Sequence, residues 1–252
     1  MNEERQSLGG MDTKLCFAEY GDNVIRPYRL FIPSSYEYAP SKAGGEVTPF
    51  PLIVMLHGGG SPDHPCDENW FFANKETPDR VQTIAEERGY IIACPALPFV
   101  NVAPDLDNRA RNWRQYIEEA DVDFIQALIK DVTCNLHVDE NRIYLSGASR
   151  GGLATYASVG ANPDMFAAVT AICSWPYEDM LDDIVKVPTL ILHAVEDQFF
   201  PIDEIRDIEK DLAQRGCDVK LVELPGVHDG MRNMEAYTLI FDWFDAHQRN
   251  EE

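Results

Sequence analysis

Pro51-Leu52-Ile53-Val54-Met55-Leu56 is a continuous apolar run that ends in His57-Gly58-Gly59-Gly60. A short run with no polar residue at either alternating set of positions is a strand covered on both faces. Such a strand needs packed layers above and below its sheet. Strand-like runs recur at 90–94, 142–146, 168–173, 187–193 and 218–224. Segments with helical spacing fall between them, at 79–88, 117–132, 150–160, 202–215 and 234–247. In 117–132 the apolar positions Val122, Ile125, Leu128 and Ile129 line one helical face. The alternation predicts an α/β chain with a mostly parallel, twisted sheet and helices on both faces. Two earlier patterns, over 14–20 and 28–32, predict an antiparallel entry to the sheet. Residues 34–49 read as a loop and 96–116 as a long irregular segment. Residues 1–11 are expected to be a mobile tail, and 12–250 a single domain. Little of the chain is left for a large cap domain, so loops must cover the carboxyl edge of the sheet.

The run Arg142-Ile143-Tyr144-Leu145-Ser146 leads directly into Gly147-Ala148-Ser149-Arg150-Gly151-Gly152. This is G-x-S-x-G between a predicted strand and a predicted helix. Only small neighbours allow so sharp a turn, and the turn exposes the serine Oγ. The backbone N–H of Arg150 opens the helix and can face a developing oxyanion. The glycine run after 51–56 offers a second such donor, the N–H of Gly59. His57 at the strand end reads as a structural residue that fixes this loop by hydrogen bonding.

Two further strands end in titratable residues. Val187-Pro188-Thr189-Leu190-Ile191-Leu192-His193 is followed by a loop carrying Glu196 and Asp197, with Pro201 suited to open the next helix. The strand over 218–224 runs into Pro225-Gly226-Val227-His228-Asp229-Gly230. In a parallel sheet these positions gather at the carboxyl edge with Ser149. Serine is a poor nucleophile at neutral pH and needs a base, which His228 can supply. Asp197 can hold the imidazole tautomer, with Glu196 the alternative acid. The chain order Ser149, Asp197, His228 is the order of one known triad class.

These residues resemble the α/β-hydrolase superfamily, esterase type, over roughly residues 15–247. The shared marks are Leu-His-Gly-Gly-Gly, Val-Asp-Glu-Asn-Arg-Ile-Tyr-Leu-Ser-Gly before the turn, the Leu-His-Ala-Val-Glu-Asp loop and the final His. The chain is similar to the polyhydroxybutyrate-depolymerase and feruloyl-esterase-like group and to predicted prolyl-oligopeptidase-class peptidases. The resemblance implies the α/β-hydrolase fold and a serine hydrolase cleaving a carboxylic ester. It leaves two alternatives, a small peptidase and a non-catalytic hydrolase-fold binding protein. The chain departs from the esterase group at Arg150, where Met, Gln or Leu is commoner, and in a less glycine-rich His loop.

Selectivity is expected from loops at 61–72, 101–116 and 174–180. They carry Trp70, Phe71, Trp113 and Trp175, and Trp70, Trp113 and Trp175 are the candidate substrate contacts. The Arg150 guanidinium either reaches the cleft to bind a substrate carboxylate or pairs with a structural acid. The chain of 252 residues has 43 acidic and 21 basic residues, a formal net charge of −22. That surface disfavours nucleic acid and anionic membranes. The sequence lacks a span-length apolar stretch and a signal-peptide core, so a cytoplasmic protein with a small-molecule ester as partner is expected. A homodimer is allowed. The six cysteines show no C-x-x-C spacing, and Cys94 and Cys173 read as buried. Asp63-His64-Pro65-Cys66-Asp67-Glu68 matches no standard metal site, and neither metal nor cofactor is expected.

Overall fold

The computed structural model describes residues 4–8, 11–37, 48–59, 80–97, 119–176, 178–228 and 234–249. Among them nine strands form one sheet. In chain order these are β1 (Glu4–Leu8), β2 (Met11–Tyr20), β3 (Val24–Phe31), β4 (Phe50–Leu56), β5 (Ile91–Pro95), β6 (Val138–Ala148), β7 (Ala168–Ile172), β8 (Thr189–Ala194) and β9 (Val219–Leu224). Their spatial order is β1-β2-β3-β5-β4-β6-β7-β8-β9. The first three strands pair antiparallel, and β3 joins β5 antiparallel. Every neighbour pair from β5 to β9 is parallel. The described helices are α1 (Ser34–Glu37), α2 (Arg80–Arg88), α3 (Glu119–Asn135), α4 (Arg150–Ala161), α5 (Leu181–Ile184), α6 (Ile202–Gln214) and α7 (Met234–Asp245). None of the described residues forms a cap domain.

The apolar run that opens the sequence divides between the two faces as a strand must. Leu52, Val54 and Leu56 join a core with Phe124, Ile125 and Leu128 of α3 and Leu153 and Tyr156 of α4. Ile53 and Met55 join the opposite core with Val81 and Ile84 of α2 and Ile240, Phe241 and Phe244 of α7. On that second face Tyr144 stacks on Phe244 with centroids 4.5 Å apart, and Phe241 meets Tyr90 edge-on at 5.2 Å. The two layers fix the strand positions from which the site projects.

Two expectations need correction. Glu4–Leu8 do not form a tail but pair with β2, from Glu4 opposite Leu15 to Leu8 opposite Met11. Main-chain pairing makes an edge strand without requiring an apolar sequence. The cue in the sequence is Gly9-Gly10 between two extended runs. Within the expected loop at 34–49, Ser34–Glu37 form a helical turn whose Ser34 N–H donates to Glu86 at 2.9 Å. No helix among the described residues is long and apolar enough to cross a membrane.

Candidate active site

Ser149 sits between the last residue of β6 and the first of α4. Its backbone has φ 54 and ψ −116, a left-handed conformation that costs energy for any residue with a Cβ. The turn is held on both sides. The Ser149 N–H donates to the Ile172 carbonyl at 2.8 Å, and its own carbonyl accepts from Leu153 N–H at 3.1 Å. Tightness comes from the flanking glycines. A Cβ on Gly147 would collide with the Gly151 carbonyl, and one on Gly151 would collide with the Leu56 carbonyl.

Asp197 lies past β8 and His228 past β9, and the parallel register brings both to the Ser149 edge. One carboxylate oxygen, Oδ1, accepts from the N–H groups of Phe199 at 2.8 Å and Phe200 at 2.9 Å. The other, Oδ2, faces His228 Nδ1 at 2.7 Å. His228 Nε2 lies 2.8 Å from Ser149 Oγ. A carboxylate can only accept, so the ring hydrogen is on Nδ1 and Nε2 is left to accept from the serine hydroxyl. Burial pushes the Asp197 carboxyl up, but the His228 hydrogen bond and the Phe200 and Phe199 N–H groups outweigh it and hold it below its ordinary value. Glu196, the alternative acid, is exposed. Asp229 lies outside the described residues.

Three neighbours of this pair were not singled out from the sequence. Phe199 meets the His228 ring edge-on at 4.9 Å, and Phe200 lies 5.7 Å away. His193, fully buried in β8, donates from Nε2 to the Phe200 carbonyl at 2.8 Å and lies 3.6 Å from Asp197 Oδ2. Its Nδ1 has no hydrogen-bond partner among the described residues. Burial lowers the His193 pKa, against the raising effects of the Phe200 carbonyl and the Asp197 charge. The only cue in the sequence was its place four residues before Asp197.

The two candidate oxyanion donors stand side by side. A Cβ on Gly59 would lie 3.7 Å from Arg150 Cβ and 3.8 Å from its Cδ. His57 fixes the glycine loop from below. Its Nε2 accepts from Leu97 N–H at 2.9 Å, which puts its hydrogen on Nδ1, 2.7 Å from the Gly58 carbonyl. The Arg150 guanidinium pairs with a structural acid. Its Nη2 donates to Asp121 Oδ2 at 2.7 Å, and Arg26 Nη1 donates to Oδ1 at 3.0 Å. Asp121 is fully buried.

Trp175 is half-buried against Phe200, ring centroids 6.4 Å apart, one ring removed from His228. Trp70 and Trp113, with the loops at 61–72 and 101–116, lie outside the described residues, as does the 63–68 cluster. Cys94 and Cys173 are buried, and none of Cys16, Cys94, Cys134, Cys173 and Cys217 is in a disulfide.

A largely parallel sheet with helices on both faces and a strand–serine–helix turn at its carboxyl edge is the α/β-hydrolase fold. The sequence profile of the Dienelactone hydrolase family matches residues 68–246, and the chain belongs to that family. Feruloyl esterase and peptidase relatives match what the sequence resemblance implied, although the resemblance did not name this family. The chain is 24% identical over a 285-residue alignment to "Uncharacterized peptidase YuxL" of Bacillus subtilis (strain 168), covering 90% of this chain and 41% of that protein. It is 26% identical over 153 residues to feruloyl esterase B of Thermothelomyces thermophilus, covering 60% and 45%. The chain spans less than half the length of these curated relatives. The solved structure of a thermostable esterase superposes with a TM-score of 0.68 at 22% identity, covering 93% of this chain and 63% of that one.

Proposed function

We propose that this chain is a serine hydrolase that cleaves a small carboxylic ester through an acyl-enzyme on Ser149. The observation that carries this reading is the continuous relay from Asp197 Oδ2 to His228 Nδ1 at 2.7 Å and from His228 Nε2 to Ser149 Oγ at 2.8 Å. In the proposed reaction Ser149 Oγ attacks the ester carbonyl as its proton passes to His228 Nε2. The Gly59 and Arg150 N–H groups receive the oxyanion. The C–O bond then breaks, and His228 returns the proton to the departing alcohol. Water then attacks the acyl carbonyl as it gives a proton to His228, and His228 passes that proton to Ser149 Oγ as the acid leaves. Asp197 holds the tautomer and stabilises the charged ring. Trp175 is the described aromatic residue of the proposed substrate wall.

The peptidase-named relative supports an amide substrate as the second reading, since the same residues serve both. A non-catalytic binding protein would not need a bare Nε2 aimed at a strained serine. The test is hydrolysis of p-nitrophenyl acetate and butyrate, beside a peptide anilide, by the wild type and by Ser149→Ala and His228→Ala. Each variant should lose about 10⁴–10⁶-fold in turnover, and the double variant should lose little more. Wild-type turnover of the anilide alone would move the reading to peptidase. Equal ester hydrolysis by wild type and Ser149→Ala would remove Ser149 as nucleophile.

A further inference from the structure

Cys173 follows the last residue of β7 and is buried beside the acid and base of the proposed mechanism. Its Sγ, one carboxylate oxygen of Asp197 and one ring nitrogen of His228 all lie within 4.8 Å of one another. The loops after three successive parallel strands, β7, β8 and β9, thus bring one sulfur, one oxygen and one nitrogen donor to a single point. Asp197 is itself only 8% exposed.

We propose that Cys173, Asp197 and His228 form an inhibitory site for a thiophilic divalent cation, zinc or cadmium, that switches the hydrolase off. The proposal rests on the reading of His228 as the base for Ser149. The donor set suits such an ion in kind and number, three protein ligands with one position left over. Zinc holds its ligands at about 2.0–2.3 Å, so tetrahedral donors stand roughly 3.5 Å apart. The three groups need shifts of about an ångström to close on it. Charge favours binding as well. A thiolate, a carboxylate and a dication sum to zero, so no net charge is buried. Magnesium, a hard cation that seeks oxygen ligands, has no comparable set here.

Inhibition follows from the imidazole tautomer. Nδ1 is the ring nitrogen that already faces Asp197. A cation coordinated there forces the ring hydrogen from Nδ1 to Nε2. The imidazole stays neutral, and the one proton released to solvent comes from the Cys173 thiol. With hydrogen on Nε2 the ring donates to Ser149 Oγ and can no longer take its proton.

The experiment titrates Zn²⁺, Cd²⁺ and Mg²⁺ into the wild type, Cys173→Ala, Ser149→Ala and Ser149→Ala/Cys173→Ala. Hydrolysis is read against each protein's own metal-free rate, and cadmium–thiolate absorption is read in the ultraviolet. Zinc and cadmium should inhibit the wild type, EDTA should restore it, and magnesium should do neither. Cys173→Ala should need more than about tenfold more zinc for half-inhibition. Ser149→Ala should keep a cadmium absorption that the double variant lacks. Cadmium should also shield Cys173 in the wild type from alkylation, read by peptide mass, which serves if the Cys173 variants fail to fold. Equal inhibition with and without Cys173, or no difference in absorption and no shielding, would overturn the site. Hydrolysis that survives Ser149→Ala would overturn the esterase reading alone, because absorption and shielding do not depend on it.

Discussion

At the scale of single residues, the site depends on which nitrogen of His228 carries its hydrogen. Asp197→Asn tests this with almost no change in shape. The Asn carbonyl should stay with the Phe199 and Phe200 N–H groups, because only an acceptor satisfies them. Its NH₂ then faces His228 Nδ1 and turns that atom into an acceptor. The ring hydrogen moves to Nε2, and Ser149 loses the base proposed for it. Turnover should fall by about 10⁴-fold with little change in KM; an activity within tenfold of wild type would refute the tautomer argument. His193 supplies a second test, in stability. Its folded-state pKa lies below the ordinary 6.5 because burial disfavours the cation and protonated Nδ1 would find no acceptor among the described residues. Between that lowered value and 6.5 the unfolded chain holds a proton that the folded chain does not. Stability from this group is therefore complete above the unfolded value and is lost as pH falls through the window. The urea midpoint measured from about pH 7.5 down to about pH 5 should fall more steeply for the wild type than for His193→Gln. Parallel slopes would assign the loss to other groups. The sequence singled out Ser149, Asp197 and His228 because each follows a strand in a recognisable local pattern. It could not show His193 or Cys173 beside them, since neighbours across parallel strands are set by register.

At the scale of elements, the serine turn and its helix contain glycines of opposite kinds. A Cβ on Gly151 would run into the carbonyls of Leu56, the last residue of β4, and of His57 just after it, and those atoms cannot move without parting β4 from the glycine loop. Gly160 lies in the same helix, where an added Cβ would meet Met180 Cγ at an ordinary 3.6 Å. Gly151→Ala should cost about 1–3 kcal/mol and most of the activity. Gly160→Ala should gain about 0.4–1 kcal/mol by restricting the unfolded chain, with activity unchanged. Denaturant unfolding of both proteins checks this pair, and matched effects would mean the turn is not sterically fixed. The elements were legible to the extent that burial writes a period into the sequence. The strand at 51–56 and the helix carrying Val122, Ile125, Leu128 and Ile129 each bury a regular stripe. β1 does not, since its role is main-chain pairing at an edge, and it was missed. The guanidinium of Arg150 was legible only as a choice between cleft and structural acid. Its partner Asp121 comes from α3, and nothing local to either residue announces the pair.

At the scale of the whole molecule, charge acts as a sum. The chain carries 43 acidic and 21 basic residues, so two carboxylates compete for each cation. The described surface shows the consequence. Arg206 holds both Asp203 and Glu223, Arg215 holds both Asp182 and Asp211, and Arg88 holds both Asp242 and Asp245. Each cluster has satisfied geometry and is still net negative. Exposed pairs of this kind contribute little to stability individually. The uncompensated charge of −22, in contrast, repels itself across the whole surface, and folding concentrates it. Added salt weakens both effects, but the small attractive one is the lesser loss. The Asp121 pairs with Arg26 and Arg150 are far more buried and are screened less. The melting temperature should therefore rise between about 20 mM and about 0.5 M NaCl, most steeply at the low end where the screening length passes through about 10 Å. KCl should give the same curve if screening is the cause. A flat or falling melting temperature would mean that the exposed arginine clusters contribute more than the excess charge costs. A rise in one salt only would point to specific ion binding at the acidic surface.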